Sequence, residues 1–310
     1  MRAETLTVSL SSTAPNIGKV ASGTSTTNFT VASGSGAVSI GSGGAQFVPY
    51  GATRTALTTI TINCSGGNKC KNNNINISIN AGSATGRASG ITALSADFSG
   101  SSTARLTSGA TSASSSSGAL SFTIKPVATG TSGSASFTVG MTIPILPSGT
   151  VGLATAAYTI TASGTGYTTG SGSAAGRATV EDPLSMSKNS DLSFGRLVLL
   201  TGQSGAATWA AADQSWTVTG ATAMGSRAIG KFTVTGTASQ AINFSVPSSI
   251  TMTNGHGDTL PITVSTTAQG TQLIGTNGQF IFYVGGQISY SSSTPTGAYT
   301  ATFTVSANYQ

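Results

Sequence analysis

The chain has 310 residues, 41 of them glycine, with 38% hydrophobic and only 6% charged residues, and a net charge of +6 from 13 basic and 7 acidic side chains. So few charges cannot cover the solvent faces of many helices, and so much apolar content excludes a disordered chain. One histidine, two cysteines and seven scattered carboxylates leave little for acid–base, metal or nucleophilic chemistry, so neither an enzyme nor a bound cofactor is expected.

Along the chain, apolar residues alternate with Thr, Ser or Asn in one segment after another. Leu6-Thr-Val8-Ser-Leu10 comes first, followed by Thr58–Ile62, Ile75–Ile79, Leu120–Ile124 and Tyr158–Ile160. Phe232–Val234, Ile242–Val246, Ile262–Val264, Phe280–Val284 and Tyr299–Val305 continue the pattern. Period two means one buried and one polar face, which predicts antiparallel sheets packed as a sandwich, an all-β fold. A short helix is expected around Ala206–Ala212. No stretch of about 18 apolar residues occurs, so no membrane-spanning helix is expected. The bases are scattered singly, so no nucleic-acid partner is expected either. The start Met-Arg-Ala-Glu-Thr carries no export signal, so an exported chain would have its signal removed from this numbering.

Two internal repeats organise these segments. Phe137-Thr-Val-Gly140 followed by Ala157-Tyr158-Thr159 matches Phe282-Tyr-Val-Gly285 followed by Ala298-Tyr299-Thr300. Ile17-Gly18-Lys19-Val20 likewise matches Phe194-Gly195-Arg196-Leu197. Two related domains are therefore predicted, at residues 15–166 and 178–310, with 167–177 as a Gly/Ser-rich linker and 1–14 as an N-terminal strand ahead of the first. Ala178, Val180, Leu184 and Met186 precede the second domain with the same parity as Leu6, Val8 and Leu10. Each such segment is either the first strand of its own domain or a strand that fills a groove in another.

Cys64 and Cys70 enclose Ser-Gly-Gly-Asn-Lys between two predicted strands, and a disulfide there fits an exported, oxidising setting. Zinc would need two more soft ligands, and no Cys-x-x-Cys redox motif is present. His256, in Asn254-Gly-His-Gly-Asp258, reads as a hairpin tip, because no nucleophile or orienting group accompanies it. Glu181 and Asp182 are adjacent, so in a strand they point to opposite faces and cannot share a substrate. Asp191 reads as a turn cap, and Trp209 and Trp216 as packing residues. Asn28, Asn76 and Asn243 each open an Asn-x-Ser/Thr triplet.

Pro183-Leu-Ser-Met-Ser-Lys-Asn-Ser-Asp191-Leu-Ser-Phe-Gly195, Phe232-Thr-Val-Thr-Gly236, Ile242–Ile250, Phe282-Tyr-Val-Gly-Gly286 and Gly297–Val305 together resemble the DUF4402 family of bacterial surface proteins. The first half resembles pilins of the spore coat protein U type through Ile60-Thr-Ile-Asn-Cys64, Cys70 and Ala157-Tyr-Thr-Ile160. These resemblances imply incomplete immunoglobulin-like domains of a chaperone–usher pilus, a secreted cell-surface filament of a Gram-negative bacterium. They further imply that Leu6, Val8 and Leu10 are donated to another copy, that Ala178–Met186 completes the first domain within the chain, and that a periplasmic chaperone and an outer-membrane usher are partners. Other readings of the same features are a surface adhesin or glycan-binding module, and a phage or surface-layer coat protein.

Overall fold

Thr, Ile, Val and Tyr in alternation favour pleated strands, and Gly, Ser and Asn between them favour turns. The computed structural model describes residues 3–11, 14–49, 54–128 and 130–310. It divides into two compact units, Met1–Pro183 and Leu184–Gln310.

Unit 1 holds β1 (Glu4–Leu10), β2 (Asn16–Ala21), β3 (Thr27–Val31), β4 (Val38–Ile40), β5 (Gln46–Phe47), β6 (Thr58–Ser65), the one-turn helix α1 (Lys69–Asn72) and β7 (Ile75–Thr85). It continues with β8 (Ala93–Asp97), β9 (Ser112–Ser115), β10 (Ala119–Ile124), β11 (Ser132–Ile145), β12 (Gly152–Ser163), β13 (Tyr167–Thr168) and β14 (Gly170–Glu181). One sheet runs β13-β1-β6-β11-β3-β4, with β8 attached to β11 and β9 to β8, and the other runs β10-β7-β12-β14-β2-β5. Between them Phe29, Ile60, Ile62, Ile75, Ile79, Phe137 and Tyr158 are all but fully buried in one core. The outward Thr and Ser residues bond across strands, as between the Thr61 and Ser136 hydroxyls (2.8 Å) and those of Thr85 and Thr155 (2.7 Å).

Unit 2 holds β15 (Ser185–Ser190), β16 (Arg196–Leu199), β17 (Gly205–Trp209), β18 (Trp216–Val218), β19 (Ala221–Met224) and β20 (Gly230–Thr235). It ends with β21 (Ala241–Ser245), β22 (Ser249–Thr253), β23 (Thr259–Thr266), β24 (Thr271–Leu273), β25 (Gln279–Tyr290) and β26 (Ser306–Tyr309). One sheet runs β15-β20-β25-β17-β18 with β23 and β22 attached to β25, and two smaller sheets are β24-β21-β26 and β16-β19. Its core is two separate small clusters, one around Phe194, Ile262 and Ile288 and one around Val234, Ile242 and Phe282.

Three expectations are corrected. Residues 167–177 are not a linker: they form β13 and most of β14, which pairs with β12 from Gly152↔Val180 to Ala162↔Gly170. Small residues in series are as suited to a strand pressed closely against another sheet as to a flexible tether, and the division between units falls at Pro183 instead. The Ala206–Ala212 segment begins as a strand, because Ala207 sits in a ladder between Val218 and Ile288 and is fully buried, and burial overrides alanine's helical preference. The Tyr299–Val305 strand does not form: only Thr300 is bridged, to Thr253, and the ladder starts at Ser306.

Candidate functional site: an open strand position

The two units share a strand plan. β11 pairs with β6, β3 and β8, and β25 likewise pairs with β20, β17 and β23. β1 lies on β6 as β15 lies on β20, β4 on β3 as β18 on β17, and β9 on β8 as β22 on β23. In the second sheet, β10-β7-β12 corresponds to β24-β21-β26, and β2-β5 to β16-β19. The plans part at one strand. In unit 1, β14 stands between β12 and β2, antiparallel to the first and parallel to the second. In unit 2 no strand joins β26 to β16, and among the described residues β26 pairs with β21 alone.

That vacancy explains the failed strand at 299–305. Tyr158 of β12 has ladders on both sides and is fully buried, whereas Tyr299 is only half-buried and its hydroxyl bonds to the Pro295 carbonyl (2.8 Å). Phe303 and Val305 alternate with exposed Thr302 and Thr304 and reach the core only partly. Burial pushes the Tyr158 phenol up to about 12, with the Thr58 hydroxyl pulling the other way.

Ala178 and Val180 belong to β14 and are buried in unit 1, opposite Ala154 and Gly152. The end of β14 is held by two separate ion pairs, because neighbouring strand residues face opposite ways. Glu181, almost fully buried, meets Lys19 Nζ at 3.3 Å. Asp182 meets buried Arg87, whose Nε also donates to the Gly149 carbonyl (2.9 Å) and whose Nη1 donates to the Ser22 hydroxyl (2.7 Å). Leu184 and Met186 belong to unit 2 and pack on its Val234–Phe282 cluster. The four residues of the segment are thus divided between the two units.

Leu6, Val8 and Leu10 lie in unit 1's own sheet, opposite Cys64, Ile62 and Ile60. Leu6 is buried and the other two are half-buried. This is the place β15 holds in unit 2, the ordinary first-strand arrangement. Behind them are the glycines of β14: a Cβ at Gly172 would meet Leu10 Cδ1 at 2.5 Å, so the large residues of β1 face glycine there.

Cys64 and Cys70 form a disulfide closing the β6–α1 turn. Their sulfurs and the Glu4 carboxylate lie within 4.8 Å of one another, but sulfurs bonded together are not metal ligands. Glu4 is buried and accepts the Lys69 and Cys70 backbone N–H groups, both at 2.9 Å. The Tyr167 hydroxyl reaches the Lys69 and Asn73 carbonyls (2.7 and 3.0 Å), and its pKa is raised by burial and by the Glu4 charge. Sequence reasoning misses Glu4, although a lone carboxylate opening an alternating strand is a usable signal.

His256 is exposed at the β22–β23 tip, where Asn254 Oδ1 accepts the His256 and Asp258 N–H groups (2.9 Å each). Asp191 pairs with Lys188 at 2.7 Å on the surface. Trp209 and Trp216 face each other across β17 and β18 with ring centroids 5.2 Å apart, and Trp209 Nε1 donates to the Ser193 carbonyl (2.9 Å). Asn28, Asn76 and Asn243 are exposed strand residues. Among the described residues, no helix is long and apolar enough to cross a membrane.

Residues 184–309 match the family model described as a domain of unknown function, DUF4402; the match does not extend to the first half. No curated protein matches. Among solved structures, the chain is similar to the major pilin subunit BcpA of Bacillus cereus at 7% identity and TM-score 0.27, covering 90% of this chain and 66% of that one. A chaperone–tip adhesin complex of CFA/I fimbriae gives 11% identity and TM-score 0.27 over 61% of this chain and 64% of that one. The CsuC–CsuE chaperone–tip subunit complex from archaic chaperone–usher Csu pili of Acinetobacter baumannii gives 10% identity and TM-score 0.27, covering 80% and 89%. The chain thus spans just under two thirds of the first two of these.

Proposed function

We propose that this protein is a structural subunit of an extracellular filament, joined to the next copy by a strand inserted between β26 and β16. The observation that carries the reading is the broken second sheet of unit 2, set against the same sheet of unit 1, which β14 makes continuous. An inserted strand would satisfy the free edge of β26, continue the ladder along 301–305 and bury Phe303 and Val305.

The shape of the vacancy selects its occupant. In unit 1, large residues come from β1, and β14 meets them with Gly170 and Gly172. In unit 2, β15 has the place of β1 but offers Met186 and then Lys188 and Ser190, so the bulk must come from the inserted strand. Leu6, Val8 and Leu10 of a second copy supply alternating bulk of that kind. A periplasmic chaperone holding this edge before assembly, and an outer-membrane usher releasing it, fit the same vacancy.

The test is a chain that completes itself. Residues 3–14 are fused after Gln310 through a six-residue Gly/Ser turn, copying the way β14 follows β12. We expect this variant to stay monomeric and to melt higher than the parent chain, while the parent forms filaments by electron microscopy. Filaments from the fused variant equal to those of the parent would refute the proposal.

A further inference from the structure

We propose that Glu4 fixes the register of the N-terminal strand, and that release of its carboxylate from the Lys69 and Cys70 amides is the step that frees this strand for a second copy. The second part rests on the filament reading above; the first does not.

The ladder alone cannot set this register. From Leu6 to Leu10, β1 repeats an apolar residue followed by Thr or Ser, and opposite it β6 likewise alternates apolar Ile60, Ile62 and Cys64 with polar Thr61 and Asn63. A slip of one residue would turn Leu6, Val8 and Leu10 outward and is excluded by burial. A slip of two residues keeps every side chain on its own face, pairing Leu6 with Ile62 in place of Cys64. What distinguishes these arrangements is the end of the strand. Glu4 is the one charged residue of β1 and is only 7% exposed. Both its oxygens are used, on two consecutive amides of the turn that the Cys64–Cys70 disulfide closes. Gly67 lets the carboxylate in, because a Cβ there would overlap Oε1. The strand's backbone is tied at the same point: Glu4 N–H donates to the Gly166 carbonyl (3.1 Å), and the Thr168 hydroxyl donates to the Glu4 carbonyl (3.2 Å). A slip of two would take the carboxylate off these amides and leave a buried charge, the buried Cys70 donor and the part-buried Lys69 donor unmatched.

The experiment compares the full chain with Glu4→Ala and with the near-isosteric Glu4→Gln. Hydrogen exchange in the β1–β6 ladder should quicken about tenfold to a hundredfold in Glu4→Ala, and less in Glu4→Gln, while the β7–β12 ladder keeps its parent rate. Register is read separately by cysteine pairs: Thr7→Cys with Asn63→Cys should cross-link in the parent, and Thr7→Cys with Thr61→Cys only once Glu4 is replaced. Unchanged β1 exchange together with parent cross-links would overturn the register role. Faster exchange with filament growth no faster than the parent's would overturn release as the freeing step. A parent chain that forms no filaments refutes the filament reading and with it the release step, and the exchange and cross-link results still decide the register role.

Discussion

Replacing Gly170 by alanine tests whether β1 belongs on the floor that β14 provides. A Cβ at this position would lie 2.5 Å from the Leu6 carbonyl oxygen, 2.8 Å from its carbon and 3.0 Å from Thr7 Cα. These are backbone atoms, so no side-chain rotation relieves the overlap, and ordinary contact at about 3.5 Å requires the two strands to part by about 1 Å. Overpacking of this kind costs about 1–3 kcal/mol, and the alanine returns about 0.4–1 kcal/mol by restricting the unfolded chain. The net loss is about 1–2 kcal/mol, which lowers the melting temperature of a unit of this size by about 4 °C. Gly100→Ala is the matched control, because no atom would lie within 4 Å of a Cβ there and its φ is not left-handed, so it should stabilise slightly. Calorimetry and urea titration of the full-length variants measure both effects. A Gly170→Ala chain as stable as Gly100→Ala would refute the close seating of β1 on β14.

Two further outcomes follow from unit 1. The Tyr158 phenol, raised to about 12 in the fold, ionises near its ordinary value of 10.0 once unfolded. Above pH 10 the unfolded chain therefore binds fewer protons and stability falls as pH rises to about 12, by up to about 3 kcal/mol. Urea titrations at pH 9 and pH 11.5 should show Tyr158→Phe losing less stability than the parent over that interval, and equal losses would exclude Tyr158 as the source. Cys64 and Cys70 are six residues apart, so replacing both by alanine should cost about 2 kcal/mol in the unit 1 transition and leave that of unit 2 unmoved. A shift in unit 2 alone would contradict this placement.

The sequence by itself determined the strands that have a partner. Wherever apolar residues alternate with Thr, Ser or Asn and a ladder exists, as at Ile75–Ile79 or Leu120–Ile124, the expected strand forms, because the period of two puts the apolar residues on the core side. The repeated Val-Gly motif falls on the corresponding central strands β11 and β25, whereas Tyr158-Thr159 lies within β12 and Tyr299-Thr300 lies ahead of its counterpart β26. The Cys64–Cys70 spacing announces a disulfide in the same local way.

Only the tertiary structure decided what lies next to what. Tyr299–Val305 has a better strand pattern than Gly170–Glu181, yet the second is a fully paired strand and the first is not, because a ladder depends on a neighbour that alternation does not encode. The glycines read as a linker became the floor under β1 because only the packing of two sheets shows how closely backbones approach. Glu4, Arg87 and Lys19 likewise gain their roles from partners 62 to 164 residues away. Local pattern sets which face of a segment is apolar; the fold alone sets which strand position is filled from within the chain and which stays open.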